Sequence, residues 1–202
     1  MKRNTLAIIF ACCTLALLAQ DAIRVKYQGA KPTISDLAWA FLNAIDNEEE
    51  ECGDKPSNAI LNAWTQQREG LPLMEGETLT IDEKNGYVLY EFHYDSHILK
   101  MEMCYWNEAD GKHKLFAFNN MASINLDDGK PILTETSGLN FWRYDNATKK
   151  MTYCDPPGFE VEYFDTAYAL PCSGKNITVV KWNEDGTKTE KTLKWDGHKF
   201  SY

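Results

Sequence analysis

Apolar residues change their spacing once along this chain, near Gly76, and that change divides it into a helical and a stranded part. From Thr33 to Asn47 they recur at helical spacing: Leu37, Phe41 and Ile45 stand four residues apart, and Trp39 and Leu42 widen the face. Thr33 or Ser35 supplies an N-cap, and Asp36 suits the positive end of a helix, so a helix is expected over about 33–47. Residues 57–66 (SNAILNAWTQ) fit either a short helix, through Ile60, Leu61 and Trp64, or a first strand.

After Gly76 the period becomes two. Val88, Tyr90, Phe92 and Tyr94 point one way while Glu91, His93 and Asp95 point the other, as in a strand with one buried face. Turn signals follow at short intervals: Asn85-Gly86, Asp110-Gly111, Asp128 to Pro131, Asp155 to Gly158 and Asp185-Gly186. Between them lie strand candidates at about 77–83, 87–95, 98–106, 113–122, 132–144, 149–154, 159–168, 177–182 and 187–195. Consecutive strands joined by short turns imply an antiparallel meander. Such a sheet must hide its edges, and closure into an up-and-down barrel hides them most completely. The expected fold class is therefore mainly β, an antiparallel barrel with an N-terminal helix. A small barrel holds one ligand, which makes its interior the default binding site.

Ahead of both parts, Lys2 and Arg3 precede an apolar run from Leu6 to Leu18, with small Ala19 available for cleavage. The run is short for a membrane span, and no stop-transfer charges follow it, so residues 1–19 read as a secretory signal peptide. Residues 20–202 are then expected as one secreted domain, extracellular and off the membrane. Cys12 and Cys13 leave with the leader. The remaining Cys52, Cys104, Cys154 and Cys172 suggest two disulfides in an oxidising compartment, with three pairings open. Sequons at Asn146 and Asn176 offer glycosylation sites in polar stretches. Loss of Lys2 and Arg3 takes the 21 basic residues to 19 against 30 acidic ones, a net charge of −11 in place of −9. Nucleic acid is a poor partner for such a chain, whereas cations are favoured. The acidic run Glu48 to Glu51 reads as a solvated charge cluster.

Catalytic motifs are missing from the sequence: no G-x-S-x-G, P-loop, GxGxxG or HExxH frame occurs, so no enzyme activity and no cofactor are expected. Glu160 and Glu162 alternate along an expected strand without the setting of a sugar site. His93, Asp95 and His97 share the spacing that puts three ligands on one strand face, but they lie opposite the apolar side beside a turn, where a solvated polar face is the simpler reading and no metal is expected. His113 and His198 stand alone near loops. More suggestive are the aromatic and methionine positions. By parity, Tyr90, Phe92 and Tyr94, Met101, Met103 and Tyr105, Phe116 and Phe118, and Phe159, Val161 and Tyr163 share one interior, as packed core or as cavity lining. A carboxylate among aromatics selects an amine by charge and cation–π attraction. Glu135 and Asp165 are the carboxylates that parity places there, whereas Glu102 falls on the opposite face from Met101 and Met103. The candidate ligand site is thus Tyr90, Phe92, Met103, Tyr105, Phe118, Glu135, Tyr163 and Asp165.

In its leader, its helix with the Asp36-Leu-Ala-Trp39 step, Tyr144-Asp145, Cys154-Asp155 and Pro171-Cys172, the chain resembles the tick salivary lipocalins, which include histamine- and serotonin-binding members. The likeness covers most of the mature chain in layout and only these short stretches in detail. It implies a lipocalin-like barrel that sequesters a small host mediator, an amine or a lipid. It also implies a late disulfide joining Cys154 to Cys172, leaving Cys52 for Cys104. The alternative is an immunomodulatory protein that binds a host protein through its outer surface.

Overall fold

The structure is a computed structural model that describes residues 22–46, 56–94, 97–124, 132–133, 138–163, 165–183, 185 and 187–202. The expected leader, the acidic run with Cys52, the turn at 128–131 and Glu135 lie outside the described residues.

Helix α1 (Ile34–Asp46) begins on a reciprocal cap. Thr33 N–H donates to Asp36 Oδ2 at 2.8 Å while Asp36 N–H donates to Thr33 Oγ1 at 3.4 Å, so each residue satisfies a donor the other leaves open. Ser35, the other candidate cap, turns its hydroxyl to Glu83. The ambiguous stretch after residue 56 is helix α2 (Pro56–Glu69), with Pro56 at its first position. Gly70 ends it at φ 71°, where Leu71 N–H reaches the Gln66 carbonyl and Gly70 N–H the Gln67 carbonyl, a left-handed close that suits glycine.

The larger sheet is built from β1 (Ile23–Arg24), β2 (Glu77–Asp82), β3 (Tyr87–Tyr94), β4 (His97–Asn107), β5 (His113–Ile124), β6 (Ile132–Leu133), β7 (Gly138–Asp145) and β8 (Lys150–Cys154). Its strands are antiparallel, in the order β1-β8-β7-β5-β4-β3-β2 with β6 added to β5, and the sheet curls as a half-barrel. A second sheet, in the order β12-β11-β10-β9, holds β9 (Thr166–Ala169), β10 (Ile177–Trp182), β11 (Lys188–Trp195) and β12 (Phe200–Ser201).

Two strand expectations change. The stretch 132–144 contains β6 and β7 as separate strands on β5. Of 159–168, only the end is a strand; Phe159–Tyr163 is irregular, because Pro156, Pro157 and Gly158 redirect the chain before any ladder forms.

The late strands also leave the meander, and the reason lies in the centre of the large sheet. One face carries Met101, Met103, Phe116, Trp142 and Tyr144; the other carries Cys104, Trp106, Leu115, Ala117, Leu139 and Phe141, all buried. A sheet that is apolar on both sides needs two covers. Helices α1 and α2 supply the first, with the Phe41 ring 5.3 Å from Phe116, 5.0 Å from Phe118 and 4.5 Å from Trp142. The small sheet supplies the second, through Tyr168, Leu170, Ile177, Val179, Leu193, Trp195 and Phe200. Among the described residues no pairing joins β1 to β2.

Candidate functional site

Five of the eight expected ligand residues come together on the helix-covered face. Tyr90 and Met103 are fully buried, and Phe92, Tyr105 and Phe118 pack partly buried against the same cluster. Phe118 meets α1 through Phe41, with ring centroids 5.0 Å apart. Tyr90 donates its hydroxyl to Glu77 Oε1 at 2.6 Å, and Glu77 Oε2 accepts Met74 N–H at 3.1 Å. Lys114 Nζ sits 4.0 Å over the Tyr105 ring and donates to Asn107 Oδ1 at 2.6 Å. Burial, then the nearby Lys31, pushes the Lys114 amine down to about 8.

Tyr163 and Asp165 do not join that group. Tyr163 is 51% exposed beyond the opposite face. Asp165 accepts the Thr166 hydroxyl at 3.0 Å and lies 3.9 Å from Lys181 Nζ. Phe159 and Val161 likewise pack with the small-sheet cluster. The single shared interior expected from parity is therefore corrected: alternation holds only within strands, and residues 159–163 are not in one.

What Tyr163 joins instead is a cleft of about 400 Å³ between the start of β7, the end of β8 and the irregular segment. Its walls are Phe141, Tyr153, Phe159 and Tyr163, with the exposed Asp155 and Glu160 at the rim and no basic side chain among the described lining residues. The Phe159 ring stands edge-on to Phe141, with centroids 6.0 Å apart. Burial raises the Tyr153 phenol above its ordinary value, and Tyr163 and Asp155 add to the rise. The irregular segment is held at several points. Phe200 N–H donates to the Pro157 carbonyl at 2.8 Å, and Glu162 N–H to the Tyr168 hydroxyl at 2.8 Å. Gly158, at φ 93°, lies where a Cβ would fall 2.3 Å from the Phe200 carbonyl oxygen, so only glycine lets the two backbones approach. Asp155 and Glu160 were hidden in the sequence, one as a turn residue and the other as a member of an expected strand. The Pro-Pro-Gly run was the signal that could have separated them from the sheet.

Glu102 lies on the small-sheet face, as expected, and is 2% exposed. It accepts from Tyr87 Oη at 2.7 Å, Asn119 Nδ2 at 2.9 Å and Leu170 N–H at 3.3 Å, with Lys100 Nζ at 3.3 Å. Asn119 Nδ2 also donates to the Tyr168 carbonyl at 2.8 Å. The carboxylate thus ties β3, β4 and β5 to the β9 region, and burial first, then Glu102, drives the Tyr87 phenol well up. With its acceptor capacity used inside the protein, this group is a clasp.

His113 is not alone: its Nδ1 lies 2.5 Å from Asp110 Oδ2, which holds the Asp110 carboxyl down to about 2. Glu108, Asp110 and His113 bring ligand-type atoms within 4.8 Å of one another, but the Arg143 guanidinium pairs with Glu108 and lies 3.7 Å from Asp110 Oδ2, so the protein's own cation serves this cluster. His93 is exposed, while Asp95 and the His97 side chain lie outside the described residues.

Among the described residues Cys104, Cys154 and Cys172 form no disulfide with one another, so the expected Cys154–Cys172 bridge is not formed, while Cys52, the expected partner of Cys104, lies outside the described residues. Position accounts for the late pair. Cys172 is close enough to Tyr87 on β3 to raise its phenol, whereas Cys154 is on β8, with β4, β5 and β7 between. Burial raises the Cys104 thiol well above its ordinary value and the Cys154 thiol to about 11. Of the two sequons, Asn176 is exposed; Asn146 is half-buried, its amide donating to the Gly111 carbonyl at 3.4 Å.

No family model matches the chain, and no curated protein or solved structure matches it either.

Proposed function

We propose that this is a secreted, non-catalytic protein that sequesters a small organic cation, of the biogenic-amine type, in the cleft between β7, β8 and residues 155–163. The observation that carries this reading is the pairing of the aromatic walls Tyr153, Phe159 and Tyr163 with the carboxylates Asp155 and Glu160, which form no ion pair among the described residues, in a space with no basic group among its described lining residues. An ammonium head is drawn to carboxylates at the rim and to ring faces behind them, and an aromatic amine body buries against the same rings. The net charge of −9 raises the local concentration of such a cation. The lipocalin-like reading of the fold belongs with this proposal, supported by the antiparallel order β2-β3-β4-β5-β7-β8 with a helix packed on one face. The ligand is placed at the border of the helix-covered face, where Tyr153 packs against Trp142 with centroids 5.6 Å apart, and not within it, where Phe41 fills the space among Phe116, Phe118 and Trp142. A lipid tail would need that same space.

Isothermal calorimetry with serotonin, histamine and oleate tests the reading. One-to-one heat with an amine and none with oleate is the expected result. Oleate binding without amine binding would overturn it.

A further inference from the structure

A second surface, remote from the amine cleft in its chemistry, reverses the charge of the molecule. A groove of about 580 Å³ runs between α1, α2 and the edge strand β1. Its floor is aromatic: Trp39 and Trp64 stand edge-to-face with centroids 5.8 Å apart, and Arg68 lies 5.8 Å over the Trp39 ring. Its rim carries Arg24, Lys26 and Arg68, all exposed. The ion pairs formed among the described residues involve Lys100, His113, Arg143 and Lys181, and none of these three cations. The one carboxylate in the groove among the described residues, Asp36, is turned to the Thr33 N–H and hydroxyl at the cap of α1. Three cations with no ion pair among the described residues, lining one groove with two tryptophans on a chain of net charge −9, form a site for negative charge with an apolar body.

The groove lies beside β1, which ends the sheet order: β8 pairs with it on one side and, among the described residues, no strand pairs with it on the other. An open groove along a strand edge suits an extended chain, which places alternate side chains on alternate sides. A small ligand, by contrast, is usually enclosed over most of its surface. We infer that this groove binds a short, extended acidic segment of another protein, with its carboxylates on Arg24, Lys26 and Arg68 and an aromatic or aliphatic side chain against Trp39 and Trp64. This inference stands apart from the amine reading, since the two sites share no lining residue. Because the rest of the chain is acidic, the attraction is local, within a Debye length of roughly 10 Å at 0.1 M salt, and a short segment feels it more than a large acidic body does.

The probes are a short peptide alternating Glu with Tyr and its counterpart alternating Gln with Tyr, titrated by calorimetry into the parent protein and into the triple variant Arg24→Glu, Lys26→Glu, Arg68→Glu. All three changes are at exposed positions, and circular dichroism checks that the variant is folded. The Glu peptide is expected to bind the parent and to lose roughly tenfold or more in affinity in the variant and at raised salt, while serotonin titrates parent and variant alike. Equal binding of the Glu and Gln peptides, unchanged binding by the variant, or no binding by the parent would overturn the inference. A parent that ignores the Glu peptide but still takes serotonin removes this groove alone; one that takes the peptide and no amine removes only the cleft.

Discussion

The two faces of the large sheet are both buried, yet they are buried differently. The helix-covered face is an aromatic and methionine jigsaw in which Phe41 of α1 touches three rings, and the buried carboxylate Glu77 stands at the margin with Tyr90. The small-sheet face instead has the Glu102 clasp near its middle and ends in the open cleft beyond Phe141 and Phe159. Dense apolar packing fixes a structure and leaves no room for a ligand. A face held by a polar clasp and an irregular segment leaves a gap at its border, and the gap carries the chemistry.

The strongest way to break this contrast is Phe41→Ala. Removing a ring that is 1% exposed and meets three others should cost about 3–5 kcal/mol in urea unfolding. A loss under about 1 kcal/mol would mean that α1 packs loosely and that a cavity on that face is open to ligands. On the other face, Glu102→Leu leaves the Tyr87 hydroxyl, the Asn119 amide and the Leu170 N–H short of an acceptor, at a cost of roughly 2–4 kcal/mol. Asn119→Leu alone breaks the bonds to Glu102 and to the Tyr168 carbonyl, and the double variant should cost less than the two single losses together, since their shared bond is lost only once; a purely additive double variant would argue against the clasp.

Lys114 sharpens the contrast through pH. In the folded chain it gives up its proton near 8, while the unfolded chain holds it to the ordinary 10.5. Between those values the unfolded state binds the extra proton, so this group's contribution to stability rises with pH. Lys114→Met should therefore be the more stable protein at pH 7, by on the order of 2 kcal/mol, and its advantage should shrink toward pH 10. Parallel urea titrations of parent and variant across that range check this, and a constant difference would contradict it.

How much of this could be read from the residues alone follows from where alternation holds. The α1 cap, the helix-covered face of β3 to β5 and most strand bounds follow from local pattern: Val88 and Tyr90 do share a face with Met101, Met103 and Phe116. Burial of the other face was hidden in β3 because its outer half carries exposed polar residues such as His93, while Tyr87 and Leu89 pack beneath the small sheet. The second cover itself is a long-range fact that no local period encodes. Tyr163 was legible as a site residue by its type, but its surroundings were not. Reading 159–168 as a strand sent its side chains to the wrong layer and offered Asp165, which pairs near Lys181, in place of Asp155 and Glu160.

The smallest effect expected is at the cleft rim. Asp155→Asn removes one exposed carboxylate and should weaken amine binding by about 1 kcal/mol, with Glu160→Gln similar, both read by serotonin titration. The most direct test of the central claim is a crystal structure of the protein soaked with serotonin. The ring is predicted to lie against Tyr153, Phe159 and Tyr163, with its ammonium toward Asp155 and Glu160. Serotonin found instead among Tyr90, Met103 and Phe118, with α1 displaced, or an empty cleft at saturating ligand, would contradict the account.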